Sequence, residues 1–292
     1  MRVTDSIITR NLMDAMSRSR DNMATIQQEM ATGKRISKPS VDPQGYLKSR
    51  RFTETIEQNT QFISNIENAR AWMENSLQIL TTLEDKVTSV REIGIQSADM
   101  ANANVRDALA NRLEGIISDT VSLANEKYMD KYIFGGSLTK GDDPFTYDGT
   151  AVTYAGNSDK ITRRIAENQN MEINLPGQDL ADTGLFDNMI ALRDALIAND
   201  GDAIQTALGD IEDTEKQLLN ISSAQGSLMG QLDLTEQRLN TANINLQSNL
   251  SQTEDTDLME AIVRYNREEL AYKAALETTS GTLRLNLLDY LR

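Results

Sequence analysis

One stretch of this chain restricts its fold more than any other: residues 46–93 contain neither proline nor glycine and keep one helical period throughout. Positions spaced alternately by four and three residues form a row along it, and most of them are apolar. The row consists of Phe52, Ile56, Asn59, Ile63, Ile66, Arg70, Met73, Leu77, Leu80, Glu84 and Val87. This pattern predicts a helix from about Leu47 to Gly94, roughly 70 Å long at 1.5 Å per residue.

A second long helical pattern lies in the C-terminal half of the chain. Its row again alternates at three and four, and it consists of Ile211, Thr214, Leu218, Ile221, Gln225, Leu228, Leu232, Thr235, Leu239, Ala242 and Leu246. After a turn expected near Gly94 and residues 102–104, a shorter helix is predicted to carry Leu109, Leu113 and Ile116 on one face. Helices of similar length bury such stripes against one another, so we expect an antiparallel helical rod.

The middle of the chain has a different character. Residues 145–154 are β-branched and aromatic around Asp148-Gly149, a strong signal for a hairpin with a two-residue turn. Residues 161–165 and 171–175 resemble two more strands, ended by Pro176-Gly177. These features predict a small β domain between the two halves of the helical rod.

Two terminal helices complete the pattern, one before Gly33 and one that Asp257 is expected to cap. Each terminal helix carries an apolar row at the same spacing, separated from the rod by a break, and no third helix is expected to cover that row. We therefore expect both terminal helices to become ordered on assembly. The predicted assembly seam consists of Ile8, Leu12, Ala15, Ile26 and Met30 in the first helix and Ile262, Leu270, Leu276, Leu283, Leu287 and Leu291 in the last.

The predicted fold is therefore mainly α, with long antiparallel helical rods that carry heptad seams, paired terminal helices and a small mid-chain β domain. Five segments follow from this division of the chain. They are an N-terminal assembly helix (1–33), the N-terminal part of the rod domain (34–136), a β-rich outer domain (137–185), the C-terminal part of the rod domain (186–253) and a C-terminal assembly helix (254–292).

Composition removes several classes of function. The chain has no cysteine and no histidine, which excludes thiolate chemistry, Cys/His zinc sites and histidine acid–base catalysis. We therefore expect no enzyme activity, no catalytic residues, no metal and no cofactor. No apolar run has the length of a membrane span or of a signal peptide, so we expect no membrane partner and export without a cleaved signal.

Charge is distributed unevenly along the chain. The net charge is −15, which argues against a nucleic-acid partner because binding phosphates requires a basic surface. Residues 1–33 carry four basic and four acidic side chains, and residues 258–292 carry five of each. The two ends are thus neutral and can be crowded together without like-charge repulsion, as assembly requires.

Four segments resemble the bacterial flagellin family. The sequence MATGKRISKPSVDP from Met30 to Pro43 is similar to the loop that joins that family's first helix to its long rod, although Pro39 and Val41 depart from the usual pattern. The segment VREIGIQSA (90–98) resembles the family's turn at the end of the rod. YIFGG (132–136) and the end LLDYL (287–291) are most similar to the members that join the hook to the filament.

The resemblance implies a structural subunit of the extracellular flagellum. It implies self-association in a helical array, with hook-associated protein 1 and flagellin as neighbours. It also implies type III export, and a flagellar export chaperone that binds the C-terminal helix.

Other interpretations remain at this point. A filament-forming flagellin shares the rods, although flagellins typically end near S-L-L-G, and a cytoplasmic coiled-coil adaptor would share the helical composition but not the β insertion. Residues 33–37 (GKRIS) lack the spacing of a phosphate-binding loop, which favours a bend between helices. Glu254, Asp255 and Asp257 lack the spacing of a calcium loop, which favours a solvated helix start.

Overall fold

The computed structural model describes residues 2–98 and 103–290. Its helices are α1 (Arg2–Thr32), α2 (Pro43–Ala98), α3 (Ala103–Ala124), α4 (Gly177–Ala181), α5 (Leu185–Ala198), α6 (Gly201–Glu254) and α7 (Leu258–Tyr290). Six short strands lie between α3 and α4. They are β1 (Lys127–Tyr128), β2 (Lys131–Tyr132), β3 (Phe145–Tyr147), β4 (Val152–Tyr154), β5 (Thr162–Ala166) and β6 (Gln169–Glu172). The predicted fold class is confirmed.

The start of α2 follows from two adjacent residues. Asp42 Oδ1 accepts a hydrogen bond of 2.9 Å from the backbone N–H of Gly45, so Asp42 caps the helix. Pro43 occupies the first helical position, where its missing N–H costs nothing because that group would have no partner in the helix. The sequence Asp-Pro therefore both ends the preceding loop and starts the helix.

The turn expected near Gly94 is wrong, because α2 continues through that residue to Ala98. A Cβ atom at position 94 would lie 2.6 Å from Leu208 Cδ2 and 3.4 Å from Leu192 Cδ2. Glycine at this position therefore lets α2 pack closely against two leucine side chains, and it does not mark a change of direction.

The described chain forms two compact units, residues 1–58 with 242–292 and residues 59–241. In the second unit, three pairs of polar side chains show that α2 and α6 run antiparallel. Arg70 hydrogen-bonds Asp233 at 2.7 Å, Glu84 accepts from Ser222 at 2.5 Å, and Arg91 lies 3.4 Å from Glu215. Between them runs a continuous apolar core, to which α3 and α5 also contribute. Its fully buried residues include Ile66, Met73, Leu80, Leu83, Leu113, Ile117, Leu192, Ile211 and Leu218.

The β region consists of three separate antiparallel hairpins. The predicted hairpin within 145–154 is confirmed, but its turn lies one residue later than predicted. Tyr147 pairs with Val152, so Gly149 and Thr150 form the tip and Asp148 flanks it. The β1–β2 hairpin was not predicted. It begins before residue 137, where the β domain was expected to start.

An arginine from α5 fixes the β3–β4 hairpin to the helices. Arg193 Nη1 donates to Glu114 Oε2 at 2.8 Å, to the carbonyl oxygen of Gly149 at 2.9 Å and to the Tyr147 hydroxyl. Burial by itself would lower the pKa of Arg193, but hydrogen bonds with Glu114 and Asp194 outweigh it and raise that pKa. The guanidinium therefore stays charged and holds the hairpin against α3.

Candidate assembly surface

The terminal unit, residues 1–58 with 242–292, is built around a pair formed by α1 and α7. Polar contacts connect the two helices. Asn22 Nδ2 donates to Glu268 Oε1 at 3.2 Å, Gln27 Nε2 donates to the Tyr265 hydroxyl at 3.0 Å, and Arg264 Nη2 donates to Glu29 Oε2 at 2.8 Å. Near the far end, the Thr279 hydroxyl lies 3.8 Å from the sulfur of Met16. The predicted pairing of the terminal helices is therefore present.

Four predicted seam residues of α1 have described side chains, and these lie on the side that α7 covers. Ile26 is buried, and Leu12, Ala15 and Met30 are partly buried. On α7 the facing row keeps the same alternation of four and three but is made of small and polar residues. It consists of Ala261, Tyr265, Glu268, Tyr272, Ala275 and Thr279. The face that joins the two terminal helices is thus narrow and largely polar.

The described seam residues predicted on α7, Ile262, Leu270 and Leu276, are exposed and lie outside the row that faces α1. Ile262 is 44% exposed, Leu270 70% and Leu276 49%, and Met259 beside them is 73% exposed. A surface helix normally turns its large apolar side chains towards its own subunit. Here these side chains lie beside or opposite the face that contacts α1. We call Met259, Ile262, Leu270 and Leu276 together the apolar stripe of α7, a wide exposed surface that another molecule can cover.

Four of the predicted seam positions fall outside what the structure describes. Ile8 lies in α1, and Leu283 and Leu287 lie in α7, but the structure describes only the backbone at these three positions. Leu291 lies outside the described residues. The sequence alone places the last three at the period of Ile262 and Leu276.

Backbone hydrogen bonds join the segment that follows α1 to the segment that precedes α7. The N–H groups of Arg35 and Ile36 donate to the Glu254 carbonyl oxygen at 2.6 and 3.3 Å, and the Thr256 N–H donates to the Gly33 carbonyl oxygen at 2.9 Å. Gly33 has a φ of +70°, a left-handed conformation that favours glycine. We call these two segments, residues 33–36 and 253–256, the clasp.

Side chains in the clasp and immediately after it make contacts within the chain. Lys34 pairs with Glu254 at 2.5 Å, so the carboxylate is already neutralised by a cation of the clasp itself. Asp257 Oδ1 accepts from the N–H groups of Met259 and Glu260 at 2.9 and 3.2 Å. Asp257 therefore caps α7, as predicted.

Residues 2–98 and 103–290, which the structure describes, contain neither a metal-binding cluster nor a membrane-spanning helix. Within those ranges, no three His, Cys, Asp or Glu side chains lie close enough together to hold a metal ion. Within the same ranges, no helix combines the length and the apolar character needed to cross a bilayer.

Comparison with known proteins identifies relatives along most of the chain. Residues 3–139 match the bacterial flagellin N-terminal helical region, and residues 208–291 match the bacterial flagellin C-terminal helical region. Flagellar hook-associated protein 3 of Salmonella typhimurium is 26% identical over 190 residues, which cover 62% of this chain and 56% of that protein. The match thus spans little more than half the length of this relative.

Solved structures share the fold. A flagellar hook-associated protein of Vibrio parahaemolyticus superposes with a TM-score of 0.67 at 20% identity, covering 74% of this chain and 100% of that one. The flagellar junction protein FlgL of Legionella pneumophila gives a TM-score of 0.59 at 14% identity, covering 73% and 100%. The helical regions that define the family occupy both ends of this chain and together span well over half of it, and the chain belongs to the bacterial flagellin family.

Proposed function

We propose that this protein is the structural subunit that joins the hook-associated layer of the bacterial flagellum to the flagellin filament. The observation that carries the proposal is the outward apolar stripe of α7, formed by Met259, Ile262, Leu270 and Leu276. Relatives named as hook-associated protein 3 and as flagellar junction protein support the junction role over that of the filament subunit.

The stripe supports a specific mode of assembly. It lies on one helix only, and α1 does not offer a matching row of exposed large apolar residues among its described side chains. Such a surface packs on a different surface of the next copy, and contacts of that kind generate helical arrays. Because the two chain ends are neutral, many copies can be brought together in this way.

Each segment of the chain would then have its own role in the assembly. Residues 1–33 and 254–292 form the assembly helices, residues 34–136 and 186–253 the rod domain, and residues 137–185 a β-rich outer domain. One side of the layer meets hook-associated protein 1 and the other meets flagellin. The role is structural, with no catalytic residues and no cofactor.

Export to the cell exterior through the flagellar type III apparatus is part of the same proposal. An export chaperone would cover the apolar stripe of α7 in the cytoplasm, in the manner of a helix bound in a groove. Removing residues 270–292 should abolish chaperone binding, measured by co-purification. Unchanged binding would move the chaperone site elsewhere in the chain.

A deletion strain tests the junction role directly. Cells that lack this protein should build intact hooks and release flagellin monomers into the medium, because the filament has no layer on which to grow. Plasmid-borne protein should restore filaments. Normal filaments in the deletion strain would contradict the proposal.

A further inference from the structure

A cleft of about 330 Å³ opens in the unit of residues 59–241, and all the residues that line it belong to that unit. Three elements converge on it, and α2 supplies one wall. Asn65, Asn68 and Trp72 are spaced by three and four residues, so they share one face of the helix. Trp72 is only 8% exposed, and its indole nitrogen is buried without a hydrogen-bond partner.

The β1–β2 hairpin supplies the second wall. Met129 and Asp130 have φ values of 49° and 59°, so both turn residues are left-handed, as in the turns that fit the twist of a two-residue hairpin. Tyr128 and Lys131 pair directly across the hairpin and therefore point to the same face. Both line the cleft.

The opposite face of this hairpin has its own contact. Lys127 pairs with Tyr132 across the strands, and its ammonium lies 4.2 Å from the centre of the Tyr132 ring. The hairpin thus carries one lysine and one tyrosine on each face. On one face Lys127 contacts Tyr132 within the hairpin, and on the other face Tyr128 and Lys131 line the cleft.

Strand β5 supplies the third wall. Arg163 pairs with Met171 across β5 and β6, and Met171 is buried, so Arg163 also points towards the helices. The backbone at the next residue is held in place, since Asn65 Nδ2 donates to the Arg164 carbonyl oxygen at 2.8 Å. Arg163 is therefore directed into the cleft by a fixed strand.

The charges around the cleft are unusual for this chain. Acidic residues outnumber basic ones by 44 to 29. The nearby Lys160 is close to both Glu172 and Asp179, yet within residues 2–98 and 103–290 neither Lys131 nor Arg163 forms an ion pair. Two cations without ion pairs, the partly exposed ring of Tyr128 and the side-chain oxygen of Asn68 together suit a ring that carries a carboxylate.

We propose that this cleft binds an acidic sugar, a hexuronate ring that is either free or the end residue of a polysaccharide. Lys131 and Arg163 bind its carboxylate, and the Tyr128 ring packs against the apolar face of the sugar. The Asn68 amide nitrogen donates to the Ser64 carbonyl oxygen at 2.8 Å, so it is the Asn68 Oδ1 atom that accepts from a sugar hydroxyl. The small volume favours one ring over a peptide segment. This site does not depend on the junction role.

The tryptophan makes the test direct, because Trp72 is the only tryptophan in the chain. The full-length protein is titrated with glucuronate, galacturonate and oligogalacturonate while Trp72 fluorescence is recorded. Saturable changes are expected with the uronates and none with glucose. A much higher affinity for the oligomer than for the monomers would identify the polysaccharide as the source.

Variants then locate the site. Lys131→Ala and Arg163→Ala each remove one exposed cation and should weaken uronate binding at least about tenfold. Lys140→Ala removes an exposed lysine that does not line the cleft and should leave the affinity unchanged. Near-UV circular dichroism checks that each variant is folded. Equal responses to glucose and glucuronate, affinity unaffected by the two cleft variants, or binding of an acidic peptide without binding of uronates would each overturn the proposal.

Discussion

At the scale of single residues, substitutions at two glycines of the β region distinguish the cost of backbone strain from the cost of steric overlap. Gly136 and Gly149 both have positive φ values, 68° and 91°. A Cβ atom at Gly149 would meet no atom within 4 Å, whereas one at Gly136 would collide with the backbone carbonyl of Asn157. Gly149→Ala should lower the free energy of unfolding by about 1 kcal/mol, and Gly136→Ala by about 3 kcal/mol.

Urea denaturation of the full chain measures both values, and the wild type provides the reference. The comparison depends on the difference between the two variants, since each replaces glycine by alanine at a left-handed position. Equal losses for the two would mean that the loop of residues 156–158 moves aside and that steric overlap contributes nothing.

The carboxylate of Asp148 offers a second test at this scale. Hydrogen bonds from the N–H of Ala151, the hydroxyl of Thr150 and the N–H of Thr150 lower the pKa of Asp148 from 3.8 to about 2. Because the folded pKa is depressed, its contribution to stability is present above pH 3.8 and is lost as the pH falls towards 2. Thr150→Ala removes one donor and should raise the pKa, measured by carboxyl NMR shifts. Thr146→Ala, in the adjacent strand, should not change it.

At the scale of elements, a substitution on the exposed face of α7 should affect assembly without affecting the folding of the subunit. Leu270 is 70% exposed, so Leu270→Asp should change the free energy of unfolding of the free subunit by less than about 0.5 kcal/mol. The same substitution places a charge in the proposed interface and should prevent the deletion strain from regaining filaments, as counted by electron microscopy.

Leu234 provides the matched control for this prediction. It is 68% exposed on α6, in the other unit, so Leu234→Asp introduces the same change at nearly the same exposure. Strains carrying it should keep their filaments. Loss of filaments with both variants would show that assembly tolerates no exposed charge of this kind, and full filaments with Leu270→Asp would exclude the stripe from the interface.

The sequence predicts those elements whose own pattern of apolar residues determines how they pack. The rods α2 and α6 were predicted because their apolar rows face a core built from the same kind of row. The side of α7 that faces α1 was not predicted, because Ala261 and Tyr265 give no apolar signal and the leucines beside them dominate the pattern. The β1–β2 hairpin has Met129 and Asp130 at its turn, where an Asn-Gly or Asp-Gly pair would have revealed it.

The candidate seam was predictable to the same extent. Ile26 and Leu12 are predicted for the assembly seam, and the structure places both on the α1 face that α7 of the same subunit covers, because an intramolecular pair follows the same period as an assembly surface. Period alone does not say which partner covers a stripe. Only the packing of α1 against α7 separates the internal row from the outward one.

At the scale of the whole molecule, the two units differ in what holds them together. The unit of residues 59–241 has a continuous apolar core, with fully buried side chains such as Met73, Leu113 and Leu218. In the terminal unit, the buried apolar residues among those described are Ile26, Ile36 and Ala261. Since apolar burial is the main favourable term in folding, the terminal pair should open far more easily than the core.

Hydrogen exchange of the free subunit checks this difference. Amides of residues 10–30 and 258–281 should exchange orders of magnitude faster than those of residues 62–93, because opening the α1–α7 pair exposes little apolar surface. Residues 211–239 on α6 serve as a control and should match residues 62–93. In the assembled layer the terminal amides should become protected, since neighbouring copies then cover the stripe of α7. Equal protection of the terminal and core helices in the free subunit would show that the clasp and polar contacts suffice without assembly.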